Sequence, residues 1–187
     1  FIQEKAIYKR DGETLQRLFE LGVLAQQQNN LKAAQNIFEF IETQPLETNT
    51  RISVISFLLN MKQQTSDVAR YSTITEDYKK AIDSFGINSK TIGLQLAYVD
   101  FLAFKLHDIQ TALSFLKMNE SQRLSRFEKA KYHMKMADIY VADGKFNQAL
   151  INYSKIQRHL KNNVLSQEAR FKVAKTSYYK GDFDWAL

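Results

Sequence analysis

The stretch VADGKFNQAL, Val141–Leu150, decides the fold class because a similar phrase recurs along the chain. YYKGDFDWAL at 178–187 repeats its Gly, Phe and Ala 37 residues later. One period earlier, Ala112 stands in HDIQTALSFL, and two periods of about 39 residues before that reach Ala34 in NNLKAAQNIF. A short turn followed by a large apolar residue and an alanine, repeated at a nearly constant interval, indicates stacked structural repeats.

A segment with helical periodicity precedes each of these phrases. The segments, which carry apolar residues at i, i+3, i+4 and i+7 spacing, are 15–27, 93–105, 132–144 and 168–181. One proline and six glycines in 187 residues give too few turn signals for a β-protein. The sequence therefore predicts an all-α chain built from pairs of helices joined by short turns.

Helix start signals support this division. Ser125 and Glu128 have the spacing of a capping box, and Asn88, Ser89 and Ser166 are candidate N-caps.

The stretch 51–85 is less regular. RISVISFLLNMKQ is predicted to be one helix, and TITEDYKKAIDSF a second that begins with the capping pair Thr73 and Glu76. Between them, QTSDVARYS fits either a loop or the start of one long helix, and the sequence leaves both possibilities open.

The repeating unit resembles the tetratricopeptide repeat (TPR). The first unit reads Leu18-x-x-Leu21-Gly22-x-x-Ala25, Ala34-x-x-x-Phe38 and Pro45, and a later one reads Met136-Ala137-x-x-Tyr140, Gly144, Phe146, Ala149 and Tyr153. The intervals exceed the family period of about 34 residues. The resemblance implies a right-handed α-solenoid of antiparallel helix pairs, a TPR-like superhelix.

The small and large residues of the repeat have different expected roles. Small residues are expected where two helix backbones approach closely, namely at Gly22, Ala34, Ala137, Ala149 and Ala186. Large residues are expected to fill the space towards the next unit, namely Phe38, Leu116 and Tyr153.

The repeats predict a single domain spanning residues 1–187. Its four to five helix pairs are expected near 13–45, 50–86, 89–119, 126–162 and 166–187. Because a helix predicted to begin at Phe183 has little room before Leu187, and FIQEKAIY fits the tail of an earlier helix, we expect this sequence to be a piece of a longer solenoid.

Catalytic and metal-binding motifs are missing from the sequence. There is no cysteine, no Gly-rich phosphate loop and no GxSxG, and His107, His133 and His159 lack metal-ligand spacing. The longest apolar run, 92–104, is too short and too polar to cross a bilayer, and predicts a buried helix. We therefore expect no enzyme activity, no cofactor and no membrane insertion of this segment.

The resemblance implies that the first helices of the pairs line a concave, partner-binding face. The expected residues there are Tyr98, Phe101, Lys105, Lys131, Met134, Lys135, Asp138, Phe171, Lys172, Lys175 and Tyr178, with Gln16, Phe19, Glu20 and Val23 from the first unit. Residues 1–93 have balanced charges, so the whole net charge of +6 lies in 94–187. The expected partner is a peptide or protein with an acidic or aromatic-containing segment.

Two other functions fit the sequence. The chain could be an RNA-binding helical repeat, although arginines are few, or an architectural spacer in a larger protein. The asparagine of the carboxylate clamp in chaperone-binding TPR domains would fall at Val23, Phe101, Asp138 or Lys175, so that clamp is not predicted. The Lys-, Asn- and Ile-rich composition resembles bacterial TPR proteins of the cytoplasm or cell envelope, and leaves the compartment and oligomeric state open.

Overall fold

A computed structural model describes residues 12–120, 124–161 and 163–183, and all regular structure in these ranges is helical. The α-helices are α1 Gly12–Gln27, α2 Leu31–Glu42, α3 Thr48–Thr65, α4 Tyr71–Phe85, α5 Ile92–Asp100, α6 Ile109–Asn119, α7 Arg126–Ala142, α8 Phe146–His159 and α9 Val164–Lys180. Short 3-10 helices, Val68–Arg70 and Ser89–Thr91, precede α4 and α5, and a π-helix, Phe101–Lys105, continues α5.

The chain divides into two compact units between Phe85 and Gly86. Unit 1 contains α1 to α4, and unit 2 contains α5 to α9. That all helices belong to one domain within a longer solenoid stays a prediction. The predicted roles of FIQEKAIY and Ala186 lie outside the described residues.

Two of the predicted helix starts, Ser125 with Glu128 and Asn88, are confirmed. The Ser125 side chain accepts a hydrogen bond from the Glu128 N–H at 3.3 Å, and the Glu128 carboxylate accepts one from the Ser125 N–H at 2.6 Å. Asn88 caps the 3-10 helix Ser89–Thr91, so Ser89 is its first residue rather than a cap. The prediction for Ser166 is wrong, because α9 begins two residues earlier with Asn163 as its N-cap and Ser166 is buried.

The stretch between α3 and α4 is a short break followed by a 3-10 turn that runs directly into α4. The helix α4 begins at Tyr71, so Thr73 and Glu76 lie inside it and are not its capping pair. A 3-10 turn at the start of an α-helix is common, because its tighter hydrogen bonds satisfy groups that the first helical turn leaves free.

The core of unit 1 forms where α1, α2 and α3 meet. Phe38 on α2 stacks on Phe57 of α3 with ring centroids 5.0 Å apart, and Phe19 of α1 contacts both rings edge-on. A Cβ atom added at Gly22 would lie 2.9 Å from Cζ of Phe38, so any larger residue at this position would require the Phe38 ring to shift. Ala34 is fully buried in the same core.

Unit 2 is built by successive packing of α6 on α7, α7 on α8 and α8 on α9. Ala112 and Ala149, one repeat apart, are both fully buried, as the repeat predicts. The large residues Leu116 and Tyr153, also 37 residues apart, are buried beside them. Contacts also join α5 to α7 and α7 to α9, so helices one repeat apart are neighbours.

The turns that follow four of the helices, α1, the π-helix after α5, α7 and α9, each contain a residue with a positive φ angle. The φ angles of Asn29, His107, Gly144 and Gly181 are all positive, at 59°, 55°, 70° and 82°. His107, Gly144 and Gly181 are 37 residues apart, so the turn keeps the same phase as the buried alanines. His107 therefore lies in the turn that precedes α6.

The residue after the turn caps the second helix in two of the pairs. Asn30, which follows Asn29, accepts a hydrogen bond from the Ala33 N–H at the start of α2. Asp108, which follows His107, accepts one from the Thr111 N–H at the start of α6. A side-chain oxygen at this position satisfies an N–H group that the helix leaves unpaired.

Candidate functional site

The candidate site is a surface formed by one stripe of residues on each of the three first helices of unit 2. We call it the first-helix face. Its residues recur three or four positions apart on each helix and so share one side of it. They are Ala97, Asp100 and Phe104 on α5 and its π-helix, Phe127, Lys131, Lys135 and Asp138 on α7, and Glu168, Lys172, Lys175 and Tyr179 on α9. Ion pairs between neighbouring helices connect the three stripes into one surface.

Three of the predicted binding residues lie in the core. Tyr98, Phe101 and Met134 are only 4%, 0% and 6% exposed. They pack inside unit 2 and are not available to a partner, so the prediction for them is wrong. On α5 the predicted residues are one position out of register with the observed surface.

The π-helix at Phe101–Lys105 is the physical reason for the error on α5, which concerns Tyr98 and Phe101 but not Met134 on α7. A π-helix closes its hydrogen bonds over five residues instead of four, as between the Leu106 N–H and the Phe101 carbonyl at 3.0 Å. This adds one residue between α5 and its turn, so α5 matches α7 at an offset of 38 residues before the π-helix. A 37-residue offset, taken from the turns, therefore selects the wrong side of α5.

The corrected offset aligns two equivalent ion pairs. Lys135 contacts Asp100 with an Nζ–Oδ1 distance of 2.6 Å. Lys172 contacts Asp138 with an Nζ–Oδ2 distance of 2.8 Å. Asp100 and Asp138 are 38 residues apart, and Lys135 and Lys172 are 37 apart, so each aspartate binds a lysine on the next first helix. The repeat therefore includes a charged contact as well as an apolar one.

Asp138 joins three helices of unit 2. Its Oδ1 atom accepts hydrogen bonds from the Tyr153 hydroxyl at 2.5 Å and from Lys172 Nζ at 2.9 Å. Burial, and then the hydrogen bond and charge of Asp138, raise the pKa of the Tyr153 hydroxyl above its ordinary value. Asp138 thus connects α7, α8 and α9, and its role in the structure is to hold these helices together.

Lys172 is held in its charged form. Burial lowers the pKa of Lys172, but the hydrogen bond and charge of Asp138, followed by those of Glu168, outweigh burial, so the pKa lies above its ordinary value. The Nζ–Oε1 distance to Glu168 is 3.1 Å. Because the carboxylates of Asp138 and Glu168 already neutralise its charge, Lys172 contributes little to the attraction of a partner.

Lys131 and Lys175 differ from the paired lysines. Lys131 Nζ lies 4.9 Å from the ring centroid of Phe127, and Lys175 Nζ lies 5.7 Å from that of Tyr179. Neither ammonium group has a carboxylate within ion-pair distance in the described part of unit 2, although the charge of Lys131 interacts with that of Glu128, three residues earlier on the same helix. The two rings are 42% and 51% exposed. These two cation–aromatic pairs are the part of the face best suited to an acidic ligand.

The remaining predicted residues are exposed and are not among the residues of the first-helix face, although the Tyr178 ring contacts the Tyr179 ring with centroids 6.3 Å apart. Phe171 and Tyr178 are 68% and 61% exposed and seven residues apart on α9. The Tyr178 ring contacts the ring of Phe183, with centroids 5.6 Å apart. Lys105 is exposed at the end of the π-helix. Their role in partner binding stays a prediction.

The predicted positions on α1 belong to unit 1 and form no comparable surface among its described residues. Phe19 and Val23 pack against the core of that unit. Gln16 donates a hydrogen bond to Glu20 at 3.0 Å on the exposed side of the helix. Two of the four residues are therefore structural.

Sequence reasoning missed six residues of the face, namely Ala97, Asp100, Phe104, Phe127, Glu168 and Tyr179. A signal was present, because the valine–aspartate pair ending at Asp100 matches the alanine–aspartate pair ending at Asp138, 38 residues later. The extra residue between Asp100 and the turn at His107 marks the insertion that the π-helix accommodates.

A buried polar network joins α5 and α7 beneath the face. Gln95 is fully buried, donates to the Thr91 hydroxyl at 2.8 Å and accepts a hydrogen bond from the Tyr132 hydroxyl. Burial, and then the charge of Glu128, raise the pKa of Tyr132 to about 12. The network fixes the register of the two first helices.

Two other classes of feature were tested in the described residues. No helix among them is both long and apolar enough to cross a bilayer. No group of three or more His, Cys, Asp or Glu side chains among residues 12–120, 124–161 and 163–183 is arranged to hold a metal ion.

The fold is similar to that of several solved structures, among them TPR proteins. BtubC (BKLC) from P. vanneervenii superposes with a TM-score of 0.72 at 13% identity, over 99% of this chain and 82% of that one. TTC0263, a TPR protein of Thermus thermophilus, gives a TM-score of 0.64 at 18% identity, over 92% and 86% of the two chains. YrrB, a TPR protein with an unusual peptide-binding site, gives 0.50 at 15% identity, over 91% and 79%.

No protein-family model and no curated relative matches the sequence. At these identities the similarity is one of fold, and it confirms the predicted all-α solenoid of the TPR type.

Proposed function

We propose that the chain is a non-enzymatic protein-interaction scaffold whose first-helix face binds an acidic segment of a partner protein. The supporting observation is that the lysines of this face fall into two groups, those with ion pairs and those without. Lys135 and Lys172 are neutralised by Asp100 and Asp138, whereas Lys131 and Lys175 contact exposed aromatic rings and form no ion pair with any described carboxylate. The second pair of lysines is therefore available to bind carboxylates of a partner.

The chemistry of these two positions limits the partner. An ammonium group beside an aromatic ring can bind a carboxylate while the ring contacts an apolar or aromatic side chain. Because the two positions lie on different helices, α7 and α9, a segment that reaches both carries at least two acidic residues. YrrB is a precedent for peptide binding by a protein of this fold.

A peptide library displayed on phage would test the proposal with the intact chain as bait. We expect selected peptides to be enriched in Asp and Glu with Phe, Tyr or Trp nearby. The variant Lys131→Glu/Lys175→Glu should lose affinity for the selected peptides by roughly tenfold or more, since two attractive contacts become repulsive. Enrichment without acidic residues would contradict the proposal.

The matched control is Lys117→Glu/Lys161→Glu. It changes the net charge equally, and Lys117 also lies beside an aromatic ring, 5.9 Å from the centroid of Tyr140, but on the second helix α6. Peptide affinity should be unchanged in this variant. An equal loss in both variants would show that net charge, and not the first-helix face, governs binding. A single-stranded RNA oligonucleotide that binds with a steep salt dependence would favour the RNA alternative.

A further inference from the structure

A second candidate surface lies in unit 1. A groove of about 1190 Å³ is bounded by α2 on one side and by α4, with its preceding 3-10 turn, on the other. The helix α3 packs against both α2 and α4 and forms the floor. This groove shares no residue with the first-helix face.

The floor of the groove is apolar and partly accessible. Ile55 and Leu58 of α3 and Phe85 at the end of α4 are half-buried and line it. Leu59 and Ile74 lie deeper and are almost completely buried. A ligand in the groove would therefore cover a strip of aliphatic and aromatic surface that is now exposed to water.

The two walls carry opposite charges. On the α2 side, Glu39 and Glu42 are exposed. On the α4 side, Arg70 and Lys80 are exposed. None of these four side chains forms an ion pair within the described part of unit 1, although Glu39 accepts a hydrogen bond from a neighbouring glutamine on its own helix.

The other charges at the groove do not cancel this asymmetry. Lys62 on the floor is neutralised by Asp77 of α4, with an Nζ–Oδ2 distance of 2.8 Å. Arg51 lies at the start of α3 and adds positive charge. The acidic wall and the basic wall therefore face each other across an apolar floor.

The shape of the groove favours a helical ligand. Its volume exceeds the roughly 300–1,000 Å³ of small-molecule pockets. Described unit 1 residues offer no sheet edge for an added strand, and Phe85 is the one aromatic residue lining the groove, whereas proline-rich ligands need several. Amphipathic helices dock in apolar grooves between helices, with anchors at i, i+3 or i+4 and i+7.

We propose that this groove binds an amphipathic helix of a partner protein, with an apolar stripe against α3, an acidic flank towards Arg70 and Lys80, and a basic flank towards Glu39 and Glu42. The proposal concerns unit 1 and does not depend on the function proposed for unit 2. The opposite walls would also fix the direction of the helix, because reversing it places like charges together.

Three designed helical peptides with the same apolar stripe would test this by fluorescence anisotropy against the intact chain. One has an acidic and a basic flank, the second has two acidic flanks and the third has two basic flanks. We expect the mixed peptide to bind roughly three- to tenfold more tightly than the other two, because each of those places one flank against a wall of like charge. Equal affinities, or no binding, would overturn the proposal.

Charge reversal of one wall at a time gives the sharper result. Glu39→Lys/Glu42→Lys should make the doubly acidic peptide the best ligand, and Arg70→Glu/Lys80→Glu should make the doubly basic peptide the best. Glu13→Lys/Glu20→Lys on α1 is the control for the first of these variants. It has the same charge change but lies outside the groove, so it should leave the ranking unchanged.

Two outcomes would assign the groove differently. A ranking that does not follow the wall reversals would overturn the proposed binding mode. A monomer–dimer equilibrium in analytical ultracentrifugation that either wall reversal abolishes would overturn it by assigning the groove to a second copy of this chain. The Lys131→Glu/Lys175→Glu variant should bind the mixed peptide normally, which keeps this test separate from that of unit 2.

Discussion

At the scale of single residues, Gly22 sets the distance between α1 and α2. The Phe38 ring occupies the space that a side chain at this position would need, and its Cζ atom would lie 2.9 Å from an added Cβ. That ring cannot move away easily, because it is stacked on Phe57 and bordered by Phe19. The helices therefore approach closely for a steric reason that the sequence pattern indicated.

We expect Gly22→Ala to lower the free energy of unfolding by about 1–3 kcal/mol, the usual cost of overpacking a core. Urea denaturation followed by circular dichroism measures this. Gly93→Ala is the control, because nothing lies within 4 Å of an added Cβ there. It should stabilise the chain by roughly 0.5–1 kcal/mol through helix propensity. A stabilising Gly22→Ala would contradict the assigned contact.

Tyr132 makes unit 2 less stable at alkaline pH. Its hydroxyl pKa is raised to about 12, above the ordinary value of 10.0 in the unfolded chain. Between these values the unfolded chain loses a proton that the folded chain keeps, so the free energy of unfolding falls as pH rises above about 10. Below that pH the effect is absent.

The variant Tyr132→Phe should separate the two contributions of this hydroxyl. Near neutral pH we expect a loss of about 1–3 kcal/mol, because Gln95 is left with an unpaired buried oxygen. From about pH 9 to pH 11, however, the variant should lose less stability than the natural chain, since it has no proton to lose at this position. Urea unfolding at both pH values measures this, and parallel losses would disprove the assignment.

At the scale of helices, the π-helix determines which side of α5 faces its neighbour. It keeps Asp100 opposite Lys135 while the turn at His107 stays in phase with the other turns. Without the extra residue, α5 would rotate by about 100° relative to that turn. One inserted residue thus preserves two kinds of contact that a regular helix could not satisfy together.

Deletion of Lys105 tests this role through double-mutant cycles. In the natural chain, Asp100→Ala and Lys135→Ala should show a coupling of about 0.5–1 kcal/mol, the range for partly exposed pairs. In the deletion variant this coupling should vanish. The equivalent cycle with Asp138→Ala and Lys172→Ala is the control and should keep its coupling, because α7 and α9 are regular. Retained coupling between Asp100 and Lys135 would show that the π-helix does not set the register.

The helices differ in how far their sequence predicts them. The start of α7 is predictable, because Ser125 and Glu128 form a local capping box that needs no tertiary contact. The start of α4 is not, since no side chain caps the 3-10 turn before it. Hydrogen bonds between residues close together in the chain can be predicted from the sequence. A helix start without a side-chain cap has no residue pattern from which to predict it.

At the scale of the whole molecule, each unit has a buried core of its own described residues. Repeat proteins are stabilised by contacts between adjacent elements, so a piece containing several intact contacts can fold. We expect the fragment 86–187 to unfold cooperatively in thermal circular dichroism. The fragment 86–143, which loses the packing of α7 on α8, should not, and non-cooperative melting of 86–187 would argue against independent folding of unit 2.

The candidate site was only partly predictable. The charged residues of α7 and α9 do lie on one face, since these are regular helices in the predicted phase; they are Lys131, Lys135, Asp138, Lys172 and Lys175. The positions on α5 were wrong by one residue because of the π-helix. The sequence also could not show that two lysines are neutralised and two are not, because their partners lie about 35 residues away.

The sequence alone determined the helical class, the repeat period and the small residues at helix contacts. These follow from propensity, periodicity and size, which are properties of residues close together in the chain. Only the tertiary structure decided the pairing of charges across the first helices and the groove in unit 1, and it corrected the register of α5. Such features depend on how separate helices rotate and approach one another. The hydrophobic pattern of a single helix does not determine these relations.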